Sequence, residues 1–402
     1  MKIILVSDNL VGYHKYWSGA EMVTKILSDS LQKEGQKVFF FTTKVQNKEN
    51  LQEVCQIPTM TGKARILQKL FAPIFIFLGF LVAVYYLKKI KPDVIDFMHS
   101  NYLFIPVMAA ASFLKIPTVF TFLDYYMICP RATFRMSNGK ICESVEGNIC
   151  FRCISKLKYA ERVILRKLKN KLDGVITFTE TSKKRLKDHG FSEDRIRVIY
   201  IYNLPSEFSK MKTKKIEEES ILVVASFNEH KGLHVALKVM PFVISEFPSV
   251  KMRIIGQGNK QDTERITELI DSLGIAKHVD FLGQKSNEEV LRIISEHKII
   301  VVPEQWPSEF GPLALVEAMA LGRPVVAADI GSAPDFIKDG KNGLLVKHNS
   351  PENFAKKINK LLKNSSEAER MGKKAREAGK TLFSYNQGKD TIDFFKEIIK
   401  SK

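Results

Sequence analysis

The sequence predicts an α/β protein built as two doubly wound, Rossmann-like domains, and three observations carry that expectation. Apolar runs of strand length at residues 2–8 and 221–225 each deliver a loop and then a helical pattern, the opening of a doubly wound sheet, once in each half. At 402 residues the chain is long enough for two cores. Between the halves, residues 210–220 form a charged connector without apolar periodicity. The expected division is 1–205, 206–380 and a closing segment 381–402.

In the first half a helix runs from the W-S-G-A-E sequence at 17–21 to Lys33, and strands follow at 38–42, 94–97, 118–123, 174–179 and 197–202. A basic helix at 156–171 carries Leu157, Ala160, Val163, Ile164 and Leu168 on one side; it suits phosphate headgroups or a solvated face. In the second half, Ser226 to Gly232 links a strand to an amphipathic helix. Residues 253–258 are a strand ending in Gly256-x-Gly258, and strands are also expected at 279–283 and 299–303. A final helix spans 383–400.

Charge bounds the partners. Lys and Arg number 62 against 44 Asp and Glu, giving +18 and a pI near 9.5. Nucleic acid, anionic lipid and phosphate-rich ligands all suit such a surface. No aromatic or groove-reading module is legible, which sets nucleic acid aside. The N-terminal M-K-I-I-L-V-S-D runs straight into a strand without a signal peptide, so a cytoplasmic protein is expected.

Residues 70–87 are eighteen in a row without a charge, flanked by Lys63, Arg65 and Lys69 and by Lys88, Lys89 and Lys91. That length can span a bilayer. The next strand must join the same sheet as the first two, however, so the expectation is a monotopic helix at the inner face of the cytoplasmic membrane, with lysines on anionic headgroups. A helix buried in its own domain or at a dimer contact would read the same way.

Cys129, Cys142, Cys150 and Cys153 fall within twenty-five positions, the last two as C-x2-C, and Cys55 stands apart. In a reducing cytosol four thiolates suit a structural Zn(II) site. Unbound thiols, a disulfide or an iron–sulfur cluster remain open.

Chemistry concentrates at 308–329, S-E-F-G-P-L-A-L-V-E-A-M-A-L-G-R-P-V-V-A-A-D: a loop, a helix opening at Pro312, a stop at Gly322 about three turns on, and a strand at 325–328. The amides around Phe310, Gly311 and Leu313 begin the helix without helical partners, so an anion can bind there. Glu309 and Glu317, eight positions apart, can bracket a ligand and accept from hydroxyls. Phosphates on amides and hydroxyls on acids together describe a nucleotide sugar.

Glu309 and Glu317, with F-G between them and E-A-M-A-L-G-R-P-V after, resemble the E-x7-E signature of the retaining glycosyltransferases of family 4, and the resemblance extends over nearly the whole chain. It implies a GT-B fold, two Rossmann-like domains facing across a cleft, with the closing helix crossing back to the first domain. It also implies retaining, metal-independent transfer from a nucleotide diphosphosugar, with no catalytic cofactor. By the same resemblance Glu309 would hold the donor sugar and Glu317 the ribose. Lys231 neutralises the diphosphate. Ser226 stands where relatives carry Arg, and Gly256 and Gly258 line the nucleotide pocket. Gly19 is similar to the glycine loop that approaches the diphosphate, or is a plain turn. The acceptor is expected to enter near Asp124. Leu123 stands where the family has His, and His99 is the nearest substitute, unless it is a structural histidine. The four-cysteine loop is similar to that of a subset of the family. The apolar helix implies a lipid-linked acceptor. A nucleotide-sugar epimerase of the same fold and a non-catalytic partner of another transferase are the rival readings.

Overall fold

The computed structural model describes residues 1–14, 19–45, 53–58, 65–136, 140–142, 153–154, 163–165, 167–200, 217–307, 312–383 and 386–402. The chain forms two compact units, Met1–Tyr202 with Asn386–Lys402, and Asn203–Tyr385. Along the first unit come β1 (Lys2–Val6), α1 (Gly19–Lys33), β2 (Lys37–Thr42), β3 (Val54–Gln56), α2 (Arg65–Ile90) and β4 (Val94–Phe97). They are followed by α3 (Phe104–Phe113), β5 (Thr118–Thr121), β6 (Gly174–Thr177), α4 (Glu180–Asp188) and β7 (Ile196–Val198). The strands form one parallel sheet in the order β3-β2-β1-β4-β5-β6-β7. Residues Ile3 to Val6, Ile95 and Phe97 are fully buried, as a sheet covered on both faces requires.

Strand order reverses between β1 and β4, the two neighbours that carry the chain outward in opposite directions. β1 stops at Val6 rather than continuing to the expected residue 8, because Asp8 is used elsewhere. Its N–H donates to His99 O (2.7 Å), and its carboxylate accepts from the amides of Asn101 (2.7 Å), Tyr102 (3.0 Å) and Leu103 (3.3 Å) at the start of α3. Those amides have no helical partners, and the carboxylate satisfies them.

The second unit runs β8 (Glu217–Val224), α5 (Leu233–Ile244), β9 (Lys251–Ile255), α6 (Lys260–Leu273), β10 (Val279–Gly283), α7 (Asn287–Glu296) and β11 (His297–Val302). It continues with α8 (Leu313–Ala320), β12 (Val325–Ala328), α9 (Ala333–Phe336), β13 (Leu344–Val346), α10 (Pro351–Lys363) and α11 (Ser365–Phe383). Its sheet is parallel in the order β10-β9-β8-β11-β12-β13, so the reversal here lies between β8 and β11. Part of the expected connector belongs to this sheet: Ser220 pairs with Lys251 and Glu217 with His297, which extends β8 backward. The helix α8 begins at Leu313, one residue later than expected, because Pro312 is its extended cap. It is eight residues long, closer to two turns than three. Gly322 (φ +72°) ends it in a left-handed turn, with Gly322 N–H donating to Met319 O and Arg323 N–H to Ala318 O. Half of the expected basic helix at 156–171 lies outside the described residues.

The closing helix α12 (Gln387–Lys400) belongs to the first unit, and Phe383, expected within it, ends α11 instead. Gln387 Nε2 donates to Ser30 Oγ (2.8 Å), Phe394 and Ile398 cover Gly174, and Arg197 pairs with Glu397. Gly388 lets the helix sit on α1: a Cβ there would lie 2.8 Å from the Ser30 carbonyl oxygen. Gly388→Ala is therefore expected to destabilise the first unit by about 1–3 kcal/mol, the usual cost of overpacking. A fall in the urea midpoint at unchanged slope checks it.

Candidate active site

At the reversal of the second sheet, the loop after β8 meets the loop after β11. Gly232 (φ +70°) sits so close to the second loop that a Cβ would lie 1.7 Å from Pro303 O, and Gln305 N–H donates to His230 O (2.9 Å). Only glycine fits there. The clamp brings Lys231 Nζ to 3.1 Å from Glu304 Oε1, with both side chains largely withdrawn from solvent. Glu304 was not singled out in the sequence; its only signal is an acid placed directly at the carboxyl end of a buried strand. Beside the pair, the rings of His230 and Trp306 stack at 5.3 Å.

Gly256 and Gly258 line the neighbouring strand end, but protein fills the space a side chain would take. A Cβ on Gly256 (φ +143°) would lie 2.0 Å from Ala225 O, and one on Gly258 2.7 Å from the Phe227 side chain. Their need for glycine comes from loop packing at this edge of the site. Ser226 Oγ accepts from Asn228 Nδ2 (3.2 Å). Leu313 opens α8, whose first helical bond runs from Leu315 N–H to Pro312 O (3.0 Å). Glu317 accepts from Asn287 Nδ2 (3.3 Å). Glu317 is partly buried, and desolvation pushes its carboxyl up to about 7 against the bond from Asn287. Asn287, the first residue of α7, is a second group that sequence reasoning missed. Glu309, Phe310 and Gly311 lie outside the described residues.

In the first unit the reversal gathers titratable groups from three loops. His99, after β4, places Nδ1 2.9 Å from Glu21 Oε1 and Nε2 3.6 Å from Asp124 Oδ2. Asp124, after β5, is held by Tyr126 N–H (2.7 Å), and Gly19 lies two residues before Glu21 at the start of α1. Burial opposes a charge on His99. The bond to Glu21 and the negative charges of Asp124, Glu21 and Asp8 outweigh it, and the imidazole is raised to about 9. Burial likewise pushes Asp8 up to about 6, against its amide bonds and His99. His99 and Asp124 line a hollow with Met98, Asn101 and Phe104. Ser100 also lines this hollow, and its Oγ, among the described residues, is buried without a hydrogen-bond partner. Glu21 is the group the sequence reading passed over, though it stands in the helix-opening string that reading picked out. Leu123, half-buried, precedes this cluster.

Of the cysteines, Cys129 is buried, Cys142 and Cys153 are partly so, and Cys150 lies outside the described residues. Cys55, Cys129, Cys142 and Cys153 are free of disulfides. Among the described residues no three His, Cys, Asp or Glu side chains come together to hold a metal ion, so the expected zinc site gains no geometry.

Two parallel α/β units define a GT-B protein, and over nearly the whole chain the fold matches solved GT-B structures. Anabaena Alr3699/HepE, in complex with UDP and glucose, superposes with a TM-score of 0.72 at 17% identity, over 99% of this chain and 100% of that one. Sucrose-phosphate synthase from Thermosynechococcus elongatus gives 0.71 at 18% identity, covering 100% of both chains. Residues 206–378 match the family model for glycosyl transferases group 1, and residues 17–201 the model for glycosyltransferase family 4. The chain belongs to the group 1 glycosyltransferases. Among relatives, spore coat protein SA of Bacillus subtilis is 32% identical over 174 residues, 42% of this chain and 45% of its own. Poly(ribitol-phosphate) alpha-N-acetylglucosaminyltransferase of Staphylococcus aureus is 30% identical over 224 residues, 55% of this chain and 43% of its own. The match thus spans less than half the length of either relative.

The Glu21–His99 pair gives a direct test. Because the folded-state value of His99 lies above the ordinary 6.5, the pair stabilises the fold fully below pH 6.5, and that contribution is lost as pH rises through about 9. In Glu21→Gln the His99 resonances, followed by NMR against pH, should titrate nearer the ordinary imidazole range. The difference in melting temperature from wild type should shrink at alkaline pH.

Proposed function

We propose that this chain is a retaining glycosyltransferase that moves a sugar from a nucleotide diphosphosugar, UDP- or GDP-linked, to a lipid-linked acceptor in the synthesis of a cell-surface polysaccharide or glycolipid. The observation that carries the reading is the Lys231–Glu304 pair at the strand reversal of the second unit, whose Glu304 shortly precedes Glu309 of the E-x7-E stretch. A lysine already oriented by a carboxylate pays little reorganisation when a diphosphate arrives. The UDP and glucose bound by Anabaena HepE, and the N-acetylglucosamine transfer named for the staphylococcal relative, support the same chemistry.

In this mechanism the bond between the anomeric carbon and the diphosphate oxygen breaks, and negative charge gathers on the leaving nucleoside diphosphate. Lys231 and the amides opening α8 stabilise that charge. They supply the neutralisation that a metal ion supplies elsewhere. The acceptor hydroxyl oxygen bonds to the anomeric carbon on the face the diphosphate leaves, and its proton passes to the departing oxygen. Glu317 accepts from the ribose hydroxyls and Glu309 from the donor sugar. Asp124 and His99 receive the acceptor.

A non-catalytic donor-binding role is the second reading, favoured by Leu123 and Ser226 in place of the family's His and Arg. A panel of UDP-, GDP- and dTDP-sugars, with and without polyprenyl-linked acceptors, separates the two. Turnover that needs one donor and the lipid acceptor, and that disappears in Glu309→Gln, supports transfer. Nucleotide binding without turnover supports the second reading, and conversion of a donor alone points to an epimerase. Lys231→Ala is expected to lower kcat by about a hundredfold to a thousandfold, the scale of one lost charge-stabilising donor. Because burial raises the Glu317 carboxyl to about 7 and it accepts hydrogen bonds from hydroxyls best as a carboxylate, UDP should bind more tightly as pH rises through 7. Calorimetry should find that dependence abolished in Glu317→Gln.

A further inference from the structure

Helix α2 is apolar on two sides, and among the described residues one is buried in the first unit and the other is largely exposed. Gly79, Ala83, Leu87 and Ile90 recur at helical spacing and are buried, and Tyr86 meets Phe41 with ring centroids 6.1 Å apart. Gly79 lets α3 approach, since a Cβ there would lie 3.2 Å from Pro106 Cβ. Ile74, Phe77, Leu78, Leu81 and Tyr85 repeat the same spacing on the outer side, where Phe77 is 59% and Tyr85 60% exposed. Phe113, at the end of α3, is 66% exposed with its ring 6.0 Å from Phe80, and it extends the patch onto a second helix. A helix whose partner is water carries polar residues on that side; a contiguous apolar face rimmed by charge marks an interaction surface.

Charge identifies the occupant. Residues 70–91 contain no acid, exposed Lys88, Lys89 and Lys91 close the helix, and exposed Lys115 follows Phe113. A second copy docked face to face would bring these lysines together without a counter-charge from the patch. Anionic headgroups would neutralise them. A full span is excluded by the sheet: β4 pairs with β1 (Ile3 with Val94, Ile4 with Ile95), and the buried stripe would have to leave its own domain.

We propose that the outer face of α2, with Phe113, docks monotopically on an anionic phospholipid surface, its aromatic and aliphatic side chains among the acyl chains and its lysines at the phosphates. The surface would give the lipid-linked acceptor of the proposed reaction its meeting place, and it rests on that reading for its purpose though not for its geometry.

The test is flotation of the full chain with vesicles of phosphatidylcholine alone or mixed with phosphatidylglycerol, with oligomeric state followed by light scattering. Wild type is expected to float with the anionic vesicles. Phe77→Ser combined with Leu81→Ser and Phe113→Ser should cut the bound fraction by roughly tenfold while leaving UDP binding and the melting temperature unchanged. Lys88→Gln with Lys89→Gln should remove the preference for anionic lipid. The proposal is overturned if wild type stays unbound with both vesicles, floats equally with both, or forms a dimer that the triple substitution dissociates. Flotation uses no donor or acceptor, so its failure beside active transfer would sink the docking alone. Binding without transfer would count against the transferase reading alone.

Discussion

In each unit the strand order turns back at one place, between β1 and β4 in the first and between β8 and β11 in the second. Neighbouring strands there send their outgoing loops to opposite faces of the sheet, and a hollow opens at their carboxyl ends. The candidate groups depend on this constraint. Lys231 and Glu304 come from the two strands flanking one reversal. Asp8 and His99 come from the two flanking the other, with Glu21 on α1 and Asp124 after the adjoining β5 completing the cluster.

The two reversals are held by different physics. In the second unit the device is backbone proximity: Gly232 and Gly256 approach carbonyl oxygens of neighbouring loops more closely than any side chain allows, and this sets where Lys231 can stand. In the first unit it is electrostatic. Asp8 spends its acceptor capacity on the amides that begin α3, while Glu21 and Asp124 flank one imidazole. Buried charge is costly unless paired, so these groups constrain one another's position and protonation together. A cluster of that kind places defined donors and acceptors around a hollow.

Parallel sheets need both faces covered, and α2 meets that need with one of its two sides. Among the described residues, its second apolar side stands largely exposed. Composition and fold therefore pull apart along this helix, which is where a partner enters the physical account.

Local signals were enough for much of this protein. Strand-length apolar runs and a glycine stop at Gly322 announced two doubly wound sheets, because periodicity and backbone punctuation act over a few residues; the GT-B plan came from the resemblance of the E-x7-E stretch, in its glycine and proline setting, to a known family. Element ends were less legible: β1 stops early and β8 starts early because Asp8, Glu217 and Ser220 answer to partners more than thirty positions away. Lys231, His99 and Asp124 could be picked out as candidates by type and position at strand ends. Their partners could not. Glu304 lies 73 positions from Lys231, and Glu21 lies 78 from His99, so only the strand order brings them within hydrogen-bond reach. Which side of α2 is spent on the domain, and which is left over, was likewise undecidable for a run apolar all round; contact with α3 through Gly79 and Pro106 chose it. The sequence by itself determined the fold class and the kinds of chemical group available, since those follow from local pattern. Tertiary structure alone decided which groups face one another, since that depends on the order in which distant strands pair.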